Sequence, residues 1–254
     1  AAYKNMPMAE TNPVECAKTN VFGSENVIRA ALENNVDSCL LISTDKAVQP
    51  INLYGATKMV AERLFINANT FRGKDKQTRF CVTRYGNVAG SRSTIAPLFL
   101  KLRETGIIPI TDPNSTRFWI ELSAANRFVL RVLRMASESN GGEIYVPRMP
   151  SVRVVDVKEA LAPNCETRII GLRPGDKVHE TLVTELESSR TSWQDNIIGI
   201  IRPENPSWFY ESRQTHVQNG AYSSDNNNFL SVEGIRSSVR GWIDKGVGNP
   251  YSVC

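Results

Sequence analysis

The sequence predicts an α/β chain organised on a parallel sheet. Three observations carry that prediction. Two short apolar runs, Ser38-Cys39-Leu40-Leu41-Ile42-Ser43 and Arg79-Phe80-Cys81-Val82-Thr83-Arg84-Tyr85, have the length and composition of strands buried on both faces. Longer stretches around them carry apolar residues at helical spacing. The two kinds of segment alternate, as they do where helices cover a parallel sheet.

The elements follow in order. Asn12-Pro13 opens a helical stretch to about residue 35, with a capping side chain before a proline in the first turn. The strand over 38–43 comes next. Asn52 caps a helix over about 53–71, with Ala56, Met59, Val60 and Leu64 expected inward. The strand over 79–85 precedes a helix around 96–104. A further helix over about 122–136 has Leu122, Ala125, Phe128, Val129, Val132 and Leu133 at helical spacing. Beyond about residue 108 the pattern is irregular. Short strands near Ile144, Arg168 and Ile198 mix with a helix over 154–161 and a polar stretch, 219–228, read as a loop. The expected division is a first domain over 1–107, a smaller lobe over 108–218 with elements returning to the first, and a peripheral tail over 219–254.

Composition narrows the function. With 41% hydrophobic and 22% charged residues, the 254-residue chain is neither a disordered polar tract nor a small disulfide-stapled scaffold. The net charge of +4 is spread without a basic block, which argues against a nucleic-acid partner. Cys16, Cys39, Cys81, Cys165 and Cys254 are widely spaced and form no CxxC, so no zinc site is expected and a reducing compartment, the cytoplasm, is. His179 and His216 leave little for a metal centre or a Ser-His-Asp triad, and His179 is expected to bond locally. The best apolar run, Asn196-Ile197-Ile198-Gly199-Ile200-Ile201, is strand-sized, so no membrane segment is expected.

Tyr54 and Lys58 stand four apart on a predicted helix and share a face. A phenol, with an ordinary pKa of ~10, is a poor base at neutral pH, and an ammonium or a helix N-terminus favours its ionised form. The spacing alone is equally that of a packed tyrosine and an exposed lysine. Ser43-Thr44-Asp45-Lys46 leaves the preceding strand at its carboxyl end, where parallel sheets bind ligands. Tyr85-Gly86-Asn87-Val88 leaves the next strand in the same way, and Gly86 lets backbone approach a ligand closely.

Ser43-Thr44, Tyr54-Gly55-Ala56-Thr57-Lys58 and Arg84-Tyr85-Gly86-Asn87-Val88 resemble the extended short-chain dehydrogenase/reductase family. Ala1-Ala2-Tyr3-Lys4 resembles the segment after that family's fourth strand, and Asn20 resembles its helix asparagine. More narrowly, Ser43-Thr44-Asp45-Lys46-Ala47, Ile110-Thr111-Asp112-Pro113 with Thr116-Arg117-Phe118-Trp119, and Arg173-Pro174-Gly175-Asp176-Lys177-Val178-His179-Glu180 resemble the branch that dehydrates UDP-N-acetylglucosamine with inversion, for surface-sugar biosynthesis. Arg148, Met149 and Ser93 stand where the family often has Lys, Ile and Gly.

The resemblance implies a Rossmann-like doubly wound sheet with a substrate lobe. No Gly-x-x-Gly-x-x-Gly follows a strand here, and in the family that phosphate-binding loop lies upstream of the segment resembling Ala1-Ala2-Tyr3-Lys4, so the sheet is expected to be incomplete at its N-terminal side. It implies a hydro-lyase using NADP, with NAD open, on a UDP-sugar, in a homo-oligomer. Cofactor contacts are implied at Ala1, Ala2, Asn20, Ser43, Tyr54, Lys58 and Tyr85, and substrate contacts at Lys4, Asn87, Arg117, Arg173 and Glu180. Catalysis is implied at Thr44, Asp45, Lys46 and Tyr54. Tyr54, aided by Lys58, suits the 4-hydroxyl proton, Lys46 the C5 proton and Asp45 the departing 6-hydroxyl. Which of Asp45 and Lys46 acts at each step stays open. A 4-epimerase would use Tyr54 and Lys58 without the Asp45-Lys46 pair, and a non-catalytic nucleotide-sugar binder would need neither.

Overall fold

The structure, a computed structural model, describes residues 2–71, 78–91, 94–204 and 218–243. Ala1, Ser93, His216 and Cys254 lie outside the described residues.

The chain begins with helices α1 (Met6–Thr11) and α2 (Pro13–Ala17), a π-helical turn over Lys18–Phe22, and α3 (Gly23–Glu33). Strand β1 (Ser38–Ile42) leads through a 3-10 turn over Asp45–Ala47 into α4 (Leu53–Ala68). Strands β2 (Arg79–Thr83) and β3 (Asn87–Val88) precede α5 (Ile95–Leu102), β4 (Ile107–Ile110) and β5 (Thr116–Ile120). Then come α6 (Leu122–Glu138), β6 (Ile144–Pro147), β7 (Ser151–Arg153), α7 (Val154–Leu161), β8 (Glu166–Ile169) and β9 (Thr181–Val183). The last elements are α8 (Glu185–Ser188), β10 (Thr191–Gln194), β11 (Ile198–Ile201), β12 (Tyr222–Ser223) and α9 (Val232–Ile243). Among the described residues no helix is long and apolar enough to cross a membrane.

Contacts group the chain into two interleaved units, one of residues 1–85, 127–148 and 181–222, the other of 86–126, 149–180 and 223–254. The expected consecutive division at 107 and 218 is thus replaced by an alternating one. The reason lies in the ladder: β6 pairs parallel with β2, and β11 and β10 follow it antiparallel, so these strands join the first unit.

The first unit is built on a five-stranded sheet in the order β1-β2-β6-β11-β10. β1 and β2 are parallel, Ser38 opposite Arg79 through Ile42 opposite Thr83. β2 is buried on both faces from Phe80 to Thr83, as its composition requires. β1 is not. It is the edge of this sheet, and Ile42 is 48% exposed. Helix α4 also differs from expectation. Its buried face carries Tyr54, Lys58, Ala61, Glu62 and Phe65, while Met59 and Val60 are exposed. Polar residues took the inward positions because each has a partner there, so apolar spacing put the buried stripe on nearly the opposite face of the helix. In α6, Phe128, Val132 and Ala136 enter a core with Cys81, Tyr145 and Ile198, and Leu122 and Leu133 are exposed.

The second unit holds a three-stranded sheet in the order β3-β5-β7 and a parallel pair, β4 with β8. Its core joins Ile108, Ile110 and Trp119 to Val157 of α7 and to Ile235 and Val239 of α9. The region expected to be a peripheral tail therefore contributes a core helix. Val232, Ile235 and Val239 lie on one helical stripe, and Trp119 Nε1 donates to Ser238 Oγ at 2.9 Å.

Candidate active site

In the first unit, Ser43 to Lys46 leave β1 at its carboxyl end, and hydrogen bonds past the strands clamp this exit to that of β2. Ser43 N donates to Thr83 O at 2.8 Å and Asp45 N to Tyr85 O at 3.2 Å. Thr44 caps the turn, its hydroxyl accepting from Lys46 N at 3.3 Å. The turn buries Asp45 completely. Asp45 Oδ1 accepts from Thr44 Oγ1 at 2.9 Å and from Lys46 Nζ at 3.1 Å, while Oδ2 is buried with no hydrogen-bond partner among the described residues. An ionised carboxylate oxygen left so is costly, and a ligand hydroxyl or a proton would satisfy it.

Asn52 starts α4 by accepting from Gly55 N at 2.8 Å, which brings Tyr54 into the first helical turn. Gly55 is what lets the helix close on the Asp45–Ala47 turn. A Cβ there would overlap the Lys46 carbonyl oxygen and stand 3.1 Å from Pro50 Cβ. Gly55→Ala is accordingly expected to destabilise the chain by about 3 kcal/mol, at the upper end for overpacking, read as a fall in the urea midpoint. An unchanged midpoint would mean that this close approach is not required.

Burial raises the Tyr54 phenol above its ordinary value; Lys46 and a hydrogen bond with Thr44 lower it, and Asp45 and Tyr85 add to the rise. The α4 N-terminus also favours the phenolate. Lys58 shares the buried face of α4 with Tyr54. Its Nζ donates to Ile42 O at 2.7 Å, and the cation whose field reaches the phenol is Lys46. Burial lowers the Lys58 ammonium, and the Glu62 charge opposes that fall. Burial raises the half-buried Tyr85 as well.

Asn20 lies buried in the π-helical turn, a form frequent at functional sites. Its amide holds the Tyr3 peptide at both ends, accepting from Tyr3 N at 2.8 Å and donating to Tyr3 O at 2.9 Å. It also donates to Thr57 Oγ1 at 3.0 Å, so its hydrogen bonds tie the first residues to α4. Ala2 and Lys4 flank Tyr3 and are exposed.

Three buried charges escaped sequence reasoning. Arg84 forks onto Glu62, from Nε at 3.0 Å and Nη2 at 2.7 Å, and its Nη1 donates to Glu187 at 2.9 Å. Ser43 Oγ donates to Glu62 Oε1 at 2.6 Å. Glu187 closes a capping box with Thr184 at the start of α8. The available signals were Glu62 one turn beyond Lys58 and Arg84 just before Tyr85, a strand-end arginine between apolar neighbours.

In the second unit, Arg117 and Glu180 come together, Nε to Oε1 at 3.9 Å, with Arg117 Nη1 also donating to Thr116 O and Val178 O. Glu180 is buried. Arg173 forks onto Asp176 within its own turn, from Nε at 2.8 Å and Nη2 at 3.3 Å. Asn87 is half-buried in β3, opposite Trp119 of β5. His179 Nδ1 meets Thr116 Oγ1 at 2.9 Å, a local bond as expected.

The chain matches the polysaccharide biosynthesis protein family over residues 1–202. It is 45% identical over 248 residues to a UDP-N-acetylglucosamine 4,6-dehydratase (inverting) of Campylobacter jejuni subsp. jejuni serotype O:2, covering 92% of this chain and 72% of that protein. To the protein of the same name from serotype O:23/36 it is 48% identical over 202 residues, covering 79% of this chain and 59% of that one. A UDP-glucose 4-epimerase of Rickettsia bellii is 34% identical over 245 residues, 93% of this chain and 71% of that protein. The X-ray structure of Pen from Bacillus thuringiensis superposes with a TM-score of 0.83 at 33% identity, covering 97% of this chain and 74% of that one. DesIV, a dTDP-glucose 4,6-dehydratase from Streptomyces venezuelae solved with NAD and TYD bound, shares the fold at a TM-score of 0.64 and 16% identity, over 98% of this chain and 74% of that one. The α/β arrangement is thus that of the Rossmann-fold enzymes, and the chain belongs to the polysaccharide biosynthesis protein family of extended short-chain dehydrogenases/reductases.

Proposed function

We propose that this chain carries the sugar-handling part of a UDP-N-acetylglucosamine 4,6-dehydratase that inverts C5 and works with a nicotinamide dinucleotide. The observation that carries the reading is the completely buried Asp45 carboxylate, bonded to Lys46 on one oxygen, bare on the other, and close enough to Tyr54 to act on its phenol. Relatives 45% and 48% identical bear that activity in their names, and the chain spans 72% and 59% of their lengths. The residues fit the nicotinamide end of such a cofactor. Lys58 supplies a buried cation, and the joined exits of β1 and β2 supply the carboxyl-end site where this fold binds ligands.

The reaction divides into tasks for these side chains. Tyr54 Oη takes the proton of the sugar 4-hydroxyl, helped by Lys46 and the Thr44 hydrogen bond. When bound, the nicotinamide supplies the hydride acceptor for C4 and the hydride donor for C6. A ketone at C4 acidifies the proton on C5, and Lys46 Nζ is the amine proposed to receive it. Asp45 Oδ2 gives a proton to the 6-hydroxyl, which leaves as water, and a proton returned to C5 on the opposite face completes the product and inverts that centre. The 3.1 Å bond between Lys46 and Asp45 lets one proton serve both, so that one acts as base while the other acts as acid. Arg117, Arg173 and Glu180 are the proposed contacts for the nucleotide. For Arg173 to grip a phosphate, its fork must be released from Asp176.

The test is product analysis with the full-length gene product. With UDP-N-acetylglucosamine in deuterated water, NMR is expected to show a 4-keto-6-deoxy sugar of the L-arabino configuration with deuterium at C5. A second reading is a 4-epimerase, favoured by the Rickettsia bellii relative. It predicts a C4 epimer without deuterium at C5, and that result, or unchanged sugar, overturns the dehydratase.

A further inference from the structure

Lys58 is a buried ammonium whose hydrogen-bond partner among the described residues is one backbone carbonyl, a costly arrangement without a counter-charge. The groups around it explain how the fold keeps it. From β1 it is met by the Ile42 carbonyl. From its own helix it is met by the field of Glu62, one turn on and 2% exposed. Glu62 is fixed from β2 by the Arg84 fork and from the β1 exit by the Ser43 hydroxyl at 2.6 Å. Arg84 is balanced by Glu187 of α8. Two acids thus flank one arginine, and the acid nearer the site also feels a buried lysine. Structural packing alone would not require the second cation.

We propose that Glu62 is a positioning residue of the site: its carboxylate, aimed by Arg84, holds Lys58 charged and orients the Ser43 hydroxyl where β1 ends. The inference rests on the reading of Lys58 as a cofactor-side residue only for its consequence in catalysis. The link itself stands on the placement of Lys58 and Glu62 one turn apart on the buried face of α4.

Glu62→Gln keeps the shape and removes the charge. Without that charge Lys58 gives up its proton at lower pH. In the full-length protein the alkaline limb of kcat is expected to move down by about one pH unit, a roughly tenfold loss at a fixed pH on that limb, with KM little changed. Glu62→Asp keeps the charge and is expected to leave the limb in place. A second readout needs no substrate. A lysine depressed in the fold makes stability rise with pH between its folded and unfolded values. That rise is expected to start at lower pH in E62Q than in the wild type, and the difference is expected to vanish in the Lys58→Met background. A wild-type limb and a wild-type onset in E62Q overturn the proposal. If E62Q does not fold, the double variant K58M/E62Q is expected to recover folding, and its failure to do so overturns the link to Lys58. If the wild type does not turn over UDP-N-acetylglucosamine, the functional reading falls while the stability readout still decides on Glu62.

Discussion

Lys46→Met is expected to reduce turnover of UDP-N-acetylglucosamine by about 10³-fold, within the range that one positioned acid or base contributes. The effect is large because Lys46 has two tasks. It is the amine proposed to take the C5 proton, and it is the cation that lowers the Tyr54 phenol against burial. The two losses separate by pH. Tyr54 works as a base above its pKa, so wild-type activity rises with pH on the acid side. With Lys46 gone the phenol climbs further and this limb moves to higher pH. Raising the pH then recovers the part of the loss owed to Tyr54 and leaves the part owed to the missing base. A variant with the wild-type pH limb would show that Lys46 does not act on Tyr54, and one with wild-type C5 deuterium exchange would remove it as the base.

Arg84→Met is expected to cost about 3–5 kcal/mol of stability, the usual consequence of removing one partner from a buried charge network. Arg84 is 5% exposed, Glu62 2% and Glu187 7%, so solvent screens the network little. The sign of the pH dependence is as diagnostic as the size. Burial alone would raise Glu187, but Arg84 and the Thr184 backbone hold it below its ordinary value. A carboxyl lowered in the fold contributes stability that is present above its unfolded pKa and lost as pH falls through the folded one. In the variant the sign reverses. Without Arg84, burial raises the Glu187 carboxyl, and its penalty grows as pH rises through the raised value. The deficit of Arg84→Met is therefore expected to shrink as pH is lowered from neutral towards 4.5, the carboxyl's ordinary value. Urea melts at the two pH values measure it, and a deficit independent of pH would make the arginine's packing, not its charge, the important part.

The frame of this fold was legible because its signals are local. Asn52 before a helix, the apolar run of β2 and the spacing in α7 each act within a few residues. The sequence could not reveal whether β1 had a neighbour on both sides, since edge and centre depend on pairing far along the chain. Nor could it place Lys58 and Glu62 inward on α4, because a charged residue goes inside only where a partner waits, and Arg84 lies 22 residues beyond Glu62. Helix α9 was missed for the opposite reason. Its apolar stripe is short and follows a polar run, so it reads as surface until Trp119 and α7 supply the other half of the core.

The π-helical turn at Lys18–Phe22 has a consequence for the length of this part of the chain. A π turn holds one residue more than an α turn, and each residue advances a helix by about 100°. The pitch upstream of Asn20 is therefore out of phase with the pitch downstream, and the mismatch aims the Asn20 amide at Tyr3 and Thr57 together. Removing a single residue from this coil would restore regular winding and swing Cys16 and the α1 helix a quarter-turn off the flank of α4. The spacing here is as constrained as the identity of the side chains in the Asp45–Ala47 turn.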